Sequence, residues 1–218
     1  MLSHMYPSAV NWTAGIFVHE QVRALVGLGH DVRVVSPKGF APPLLPRWKA
    51  FHDVPGVDIF DGVPVLYPRK LTLPGGRLGH RNSDAMLWAI RRPLGAVHRA
   101  WPFDLIHAHM LVPDGWAAAR IGAEFGVPVV ATAHRADVLD VPAQGPRSAA
   151  RVTEAVESID QVCAVSISIG DAACPTARTR RCSFPARPPR RGRGSDCPTT
   201  ARSSPSWASW CRARAWTR

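Results

Sequence analysis

The run Val129-Val130-Ala131-Thr132-Ala133-His134-Arg135-Ala136-Asp137-Val138 holds the clearest candidate chemistry in the sequence. An apolar, β-branched stretch ends in a histidine, and a carboxylate follows three residues later. Imidazole titrates near neutrality, so this pair can bind polyol hydroxyls or handle a proton; it can equally do no more than fasten its own loop. A second run, Asp104-Leu105-Ile106-His107-Ala108-His109-Met110-Leu111-Val112-Pro113-Asp114-Gly115, sets two histidines two residues apart on an apolar strand. His109, near the exit, is placed to touch a substrate hydroxyl, whereas His107 reads as a hydrogen-bonded core residue. Asp114, after Pro113, suits the first turn of a helix, where the dipole favours a carboxylate. A third run, Tyr6 to Glu20, leads into a helix through Gly15. A glycine there lets backbone amides approach an anion such as a diphosphate, or serves a tight turn alone. Neither a GxGxxG nor a Walker pattern is present.

These residues need a scaffold that brings strand ends together. Strands are expected near 2–5, 31–36, 63–67, 104–109, 128–133 and 161–165, and helices near 15–28, 83–99, 114–125 and 146–157. Strand and helix patterns that alternate in this way predict an α/β fold, a Rossmann-like parallel sheet flanked by helices. Val18, Val22, Leu25 and Val26 mark the buried face of the first helix, and Gly29 its carboxyl cap. Pro93 is expected to kink or divide the second helix. In such sheets ligands bind beyond the carboxyl ends of the strands, where all three runs place their polar residues. The Pro- and Gly-punctuated stretches 37–55 and 70–81 read as recognition loops.

Composition divides the chain into 1–171 and 172–218. Ala172 to Arg218 carries 11 of the 27 basic residues, all arginine, and one of the 16 acidic ones, Asp196, so residues 1–171 are close to neutral. Leu, Ile, Val and Met are absent from those last 47 residues, and no core can be built from what remains. A disordered Arg/Pro-rich tail is expected, of the kind a GC-rich gene yields when read out of frame near codon 172. The competing reading is an arginine-rich arm for nucleic acid, but the three Trp residues follow the densest Arg run and are not interleaved with it. The cysteine spacing fits no paired zinc motif. No apolar stretch approaches the roughly 18 residues of a membrane span. With no leader pattern at Met1, a cytoplasmic location is expected. Arg47, Trp48, Lys49, Arg69 and Lys70 are candidates for peripheral contact with the inner face of the membrane.

Taken in order, a set of segments spanning nearly all of residues 1–171 resembles the retaining glycosyltransferases of family 4, which have the GT-B architecture. The set comprises Tyr6-Pro7, Gly15-Ile16-Phe17-Val18-His19-Glu20-Gln21-Val22, Gly29-His30-Asp31-Val32, Asp104 to His109, Pro113-Asp114-Gly115-Trp116-Ala117-Ala118, and Thr132-Ala133-His134 with Asp137-Val138. The resemblance is to the amino-terminal, acceptor-side lobe. It implies transfer of a sugar from a nucleotide-sugar donor to a polysaccharide or glycolipid acceptor, with retention and without a metal or other cofactor. By the same resemblance Gly15 faces the donor diphosphate, and His134, supported by Asp137, lies beside the reacting sugar. His109, Asp114 and Arg135 are then acceptor-side candidates. Arg135 departs from the family, which usually has glycine there. The family's second lobe, with its basic pair and two glutamates, has no counterpart in 172–218, so turnover by this chain alone is not expected. The alternatives are a binding protein with a basic arm, or a dehydrogenase domain lacking the glycine fingerprint.

Overall fold

A computed structural model describes residues 1–40, 53–71, 80–173 and 182–183. The strands are β1 (Val34–Val35), β2 (Lys38–Phe40), β3 (Val57–Phe60), β4 (Val63–Leu66), β5 (Arg69–Leu71), β6 (Ile106–His109), β7 (Val129–Ala133), β8 (Gln161–Ala164) and β9 (Cys182–Ser183). The helices are α1 (Ile16–Gly27), α2 (Asn82–Ala100), α3 (Trp116–Phe125), α4 (Pro146–Ser158) and α5 (Ile167–Ala173).

Leu2 organises the sheet. It forms parallel bridges to Val35 on one side and to Ala108 on the other, joining β3-β4-β1 to β6-β7-β8-β9. Counting Leu2 as the first parallel strand, the spatial order is third, second, first, fourth, fifth, sixth, which is that of a doubly wound sheet. Its switch point lies between Leu2 and β6. The apolar runs that fill both faces explain the burial of all of β6 and β7. The first strand, expected over 2–5, is reduced to the Leu2 bridges.

Two small strand pairs extend the design. Asp61 and Gly62 both have positive φ, and this Asp-Gly turn folds β3 back antiparallel on β4. Beyond the ends of β1 and β4, after Ser36-Pro37 and Tyr67-Pro68, β2 and β5 pair in parallel.

Helix α1 ends in a Schellman motif, with Gly29 N donating to the Val26 carbonyl and His30 N to the Leu25 carbonyl. Its buried face is narrower than expected: Val18, His19 and Val22 are buried, but Val26 is exposed. Helix α2 runs through Pro93 without division. Glycines let α3 lie close on the sheet, since a Cβ on Gly122 would meet Val129 Cγ2 at 2.4 Å. Folded structure continues past residue 171 through α5 and β9, which pairs in parallel with β8. The expected disorder of the tail otherwise falls outside the described residues, as do Arg47, Trp48 and Lys49. Among the described residues no helix is long and apolar enough to cross a membrane.

Candidate active site at the sheet switch point

The carboxyl ends of Leu2, β6 and β7 converge on one rim. From β6 come His107 and His109, whose rings stack with centroids 5.1 Å apart. His107 is buried and bonds the Thr132 hydroxyl through Nε2 at 2.9 Å, as a core histidine should. His109 is 2 % exposed and its Nδ1 lies 3.4 Å from Nε2 of His134, which leaves β7 on the same rim. Phe17, in the first turn of α1, lies over both: its ring centroid is 5.2 Å from that of His134 and 6.0 Å from that of His109. Sequence reading passed over Phe17, because a phenylalanine after a helix-opening glycine looks like core. Its 44 % exposure shows that it faces the rim instead.

The tautomers follow from what each ring nitrogen meets. His109 Nε2 is buried without a hydrogen-bond partner. An unpaired lone pair costs less there than an unpaired N–H, so we assign the proton to Nδ1, which donates to His134 Nε2. His134 then carries its proton on Nδ1, which makes no hydrogen bond among the described residues. Burial lowers the pKa of all three imidazoles, His107 to about 3 and His109 to about 2. At neutral pH the rim therefore presents neutral rings, each a donor and an acceptor.

Asp137 is wholly buried, and its Oδ2 accepts hydrogen bonds from the backbone N–H groups of Leu111 and His134, both at 3.0 Å. It ties the exits of β6 and β7 together and sets where His134 leaves its strand. Burial raises its pKa to about 7, and Oδ1 has no partner. Asp114 is also wholly buried, at the start of α3, and accepts from His4 Nδ1 at 2.6 Å and His4 N at 3.2 Å. It anchors the Leu2 exit to α3 and does not reach solvent. Arg135 is exposed and forms a two-pronged ion pair with Asp140 at 2.9 and 3.0 Å. Met110, between the histidine strand and Leu111, holds φ 78°, a strained backbone for a side chain that large and a mark of functional rims.

Gly15 has φ 69°, and a Cβ there would stand 2.2 Å from the Met5 carbonyl oxygen. The glycine thus lets α1 begin directly against the Leu2 exit. The adjoining loop is held by residues that sequence reading missed. Tyr6 Oη lies 2.7 Å from His19 Nδ1, Tyr67 Oη donates to the Pro7 carbonyl at 2.7 Å, and Lys38 Nζ donates to the Tyr6 carbonyl at 2.7 Å. A histidine four residues after a helix-opening glycine faces back along the helix toward that loop, which was the available signal.

A cavity of about 360 Å³ with a mainly apolar lining opens at the opposite edge between Leu2, Val35, Val97 and Trp101. It lies at the amino ends of the strands, whereas ligands of such sheets bind beyond the carboxyl ends, so the histidine rim remains the candidate site. No group of three metal-ligating side chains is found among the described residues.

The model of Glycosyltransferase Family 4 matches residues 14–182. The chain belongs to glycosyltransferase family 4. The "Putative teichuronic acid biosynthesis glycosyltransferase TuaC" of Bacillus subtilis (strain 168) is 32% identical over 173 residues, which is 76% of this chain and 43% of that protein. This family 4 chain thus spans less than half the length of that relative.

Two predictions arise here. His107 and His109 stay neutral in the folded protein while the unfolded chain protonates below pH 6.5, so their contribution is complete above 6.5 and drains as pH falls. Asp137 acts in the opposite sense between about pH 4 and 7, its stabilisation being lost as pH rises through 7. The buried Met1 amine, lowered to about 5, adds to the histidine effect between pH 8 and 5. Two histidines outweigh one carboxyl, so stability should fall by at least about 1.4 kcal/mol per pH unit below pH 6.5. Urea midpoints measured from pH 7.5 to 5.5 check this. His109→Gln should flatten the slope by about 1.4 kcal/mol per unit, and an unchanged slope would show that His109 is protonated in the fold.

The second concerns Asp137. Asp137→Asn keeps an acceptor for both N–H groups and should cost about 1 kcal/mol, whereas Asp137→Ala orphans both and should cost about 2–4 kcal/mol. Thermal unfolding of the two variants decides; equal losses would mean that the charge, not the backbone bonds, is what matters.

Proposed function

We propose that this chain supplies the acceptor-side wall of a sugar-transfer cleft, in which a nucleotide-sugar donor and a saccharide acceptor meet over the rim formed by Phe17 and His134. The reading rests on one observation: three strand exits of a family 4 chain converge at the switch point on a partly exposed, neutral imidazole. The transfer retains anomeric configuration and needs no metal. The oxocarbenium-like transition state carries positive charge, so a neutral His134 can hydrogen-bond the reacting sugar without repelling it. The departing diphosphate takes the acceptor's proton, and a protein base is not required. Gly15 brings the α1 amides to the donor side of the rim. Asp137, Asp114 and His109 position the rim from behind, and Arg135 is at its outer margin. The acceptor is a cell-envelope polysaccharide or glycolipid, in keeping with the teichuronic acid biosynthesis for which the Bacillus relative is named, and the protein works at the cytoplasmic side.

The two glutamates with which the family's second lobe grips its donor have no counterpart in the sequence of residues 172–218, so the 218-residue chain alone should release no nucleoside diphosphate from a nucleotide sugar. Residues 1–173 joined to the second lobe of the Bacillus relative should release it in the presence of acceptor. Turnover by the short chain would refute the division of labour, and a folded but inert fusion would refute the assignment of this lobe.

A further inference from the structure

Helix α2 leads into β6 and α4 into β8, so both helices begin at the carboxyl edge of the sheet, the edge that carries the histidine rim. Between their first turns lies a cavity of about 170 Å³. Its apolar wall is Val112, Pro113 and Val141, from the segments that leave β6 and β7 just after His109 and Asp137. Ser83 of α2 line it from one side, and Ser148 and Arg151 of α4 from the other. Arg151 crosses to Asp84 of α2 at 3.3 Å, and its guanidinium carbon lies 4.1 Å from the ring centroid of Trp116.

Ser83 is 2 % and Ser148 3 % exposed. Neither hydroxyl makes a hydrogen bond among the described residues, and neither is among the polar atoms sealed from solvent without a partner. Both therefore open into the cavity they line. Elsewhere in α4, Thr153 and Ser158 satisfy their hydroxyls on carbonyls one turn back, at 3.3 and 2.7 Å. A hydrogen bond left unmade at so buried a position is costly unless something in the cavity takes it. The surroundings favour an anion in that place. Neither helix has a side-chain cap, so the positive ends of two helix dipoles meet there, of 19 and 13 residues. Among the described residues no carboxylate lines the cavity, and Asp84 in the first turn of α2 is engaged by Arg151. Arg81 and Arg147, at the same two helix starts, are exposed and form no ion pair among the described residues. The volume is many times the roughly 15 Å³ that one water needs, so a phosphate or carboxylate group fits.

We propose that this cavity binds the anionic group, phosphate or carboxylate, of the saccharide acceptor, with the Ser83 and Ser148 hydroxyls as donors and Arg151 as counter-charge. The inference rests on the acceptor-side reading above and adds the class of acceptor and the place of its charged group. An anion held there is anchored beside the two segments that leave β6 and β7, and the sugar that carries it is directed toward His134.

The test is NMR titration of the full chain with three probes: glucose 6-phosphate, a methyl glucuronide and a methyl glucoside. At least one charged probe should bind about tenfold or more tightly than the glucoside, the range expected for hydrogen bonds to a charged group, and should shift the amides of Ser83 and Ser148 together with those of 134–137. The tighter of the two charged probes identifies the acidic group. Ser148→Asp sets a carboxylate in the cavity at a first-turn position that suits the helix dipole, and should abolish the preference while the unfolding temperature holds. The double variant Ser83→Ala, Ser148→Ala, which removes only the two hydroxyls, should weaken binding of the charged probe about tenfold or more. Equal binding of charged and neutral probes, a preference that survives both variants, or shifts that leave Ser83 and Ser148 untouched would overturn the anion site and leave the glycan reading standing. Shifts at Ser83 and Ser148 with none at 134–137 would keep the site and count against the acceptor-side reading. Saturable binding of none of the three would count against both.

Discussion

His134→Ala is expected to lower sugar transfer roughly 10²- to 10³-fold in a two-lobed protein that carries this lobe, the loss seen when one preorganised transition-state donor is removed. The imidazole stands at the exit of β7, with its backbone N–H held by Asp137 at 3.0 Å and its Nε2 at 3.4 Å from His109. Those contacts leave Nδ1 for the substrate. His134→Gln, which keeps a donor and an acceptor, should recover part of the loss. The fall should appear in kcat more than in KM, because the sugar loses its positioning for reaction while most of its other binding contacts remain. Acidification should mimic the mutation, since an imidazolium repels that charge; burial places this transition below the ordinary 6.5 of histidine. A variant with unchanged kcat would show that His134 only shapes the loop.

Gly15→Ala should be the most destabilising single substitution on the rim. Two costs add: the left-handed backbone at φ 69°, and a Cβ 2.2 Å from the Met5 carbonyl oxygen, which belongs to backbone and cannot swing away. The first is worth about 1–2 kcal/mol and the second about 1–3 kcal/mol. Gly126 provides an internal control, because it has the same φ of 69° with nothing near its Cβ position. Gly126→Ala should therefore cost only about 1–2 kcal/mol. Urea unfolding of the pair measures the difference, and equal losses would mean that Gly15 serves its turn alone and does not bring α1 against the Leu2 exit.

Much of the fold was legible because periodicity and punctuation agreed. The runs at 128–133 and 161–165 became β7 and β8 almost as expected, and Gly29 capped α1 as a carboxyl-terminal glycine should. What escaped has physical reasons. The Asp61-Gly62 turn was a readable hairpin signal between β-branched residues, yet β3 lies on a sheet edge with Val57 and Ile59 exposed, so its apolar pattern points the wrong way for core. Strands β2 and β5 exist through pairing across about thirty residues of sequence, which no local pattern reveals. Pro93 did not divide α2, where tertiary packing against α3 and β5 outweighs a missing backbone bond. Lys70, read as a surface contact for a membrane, is buried.

In the site, histidines were visible as odd occupants of apolar strands and His107 was readable as a core residue, but the burial of His109 was not. Type and spacing placed His107, His109 and His134 on the same two strands; burial made the first a core residue and the second a support. Asp137 was readable either as chemistry beside His134 or as a fastening for its loop, and it holds two backbone amides, one of them in the exit of β6. Asp114 looked like a dipole cap and holds His4, a residue 110 positions away that no sequence argument joins to it.

The most direct measurement is residue-resolved: backbone and imidazole NMR shifts of this chain on titration with a saccharide acceptor analogue. The expected result is saturable change at residues 4–6, 15–17, 109–111 and 134–137, with the His134 ring moving most. Shifts gathered instead around Leu2, Val97 and Trp101, at the apolar cavity on the other edge of the sheet, would contradict the placement of the cleft at the switch point.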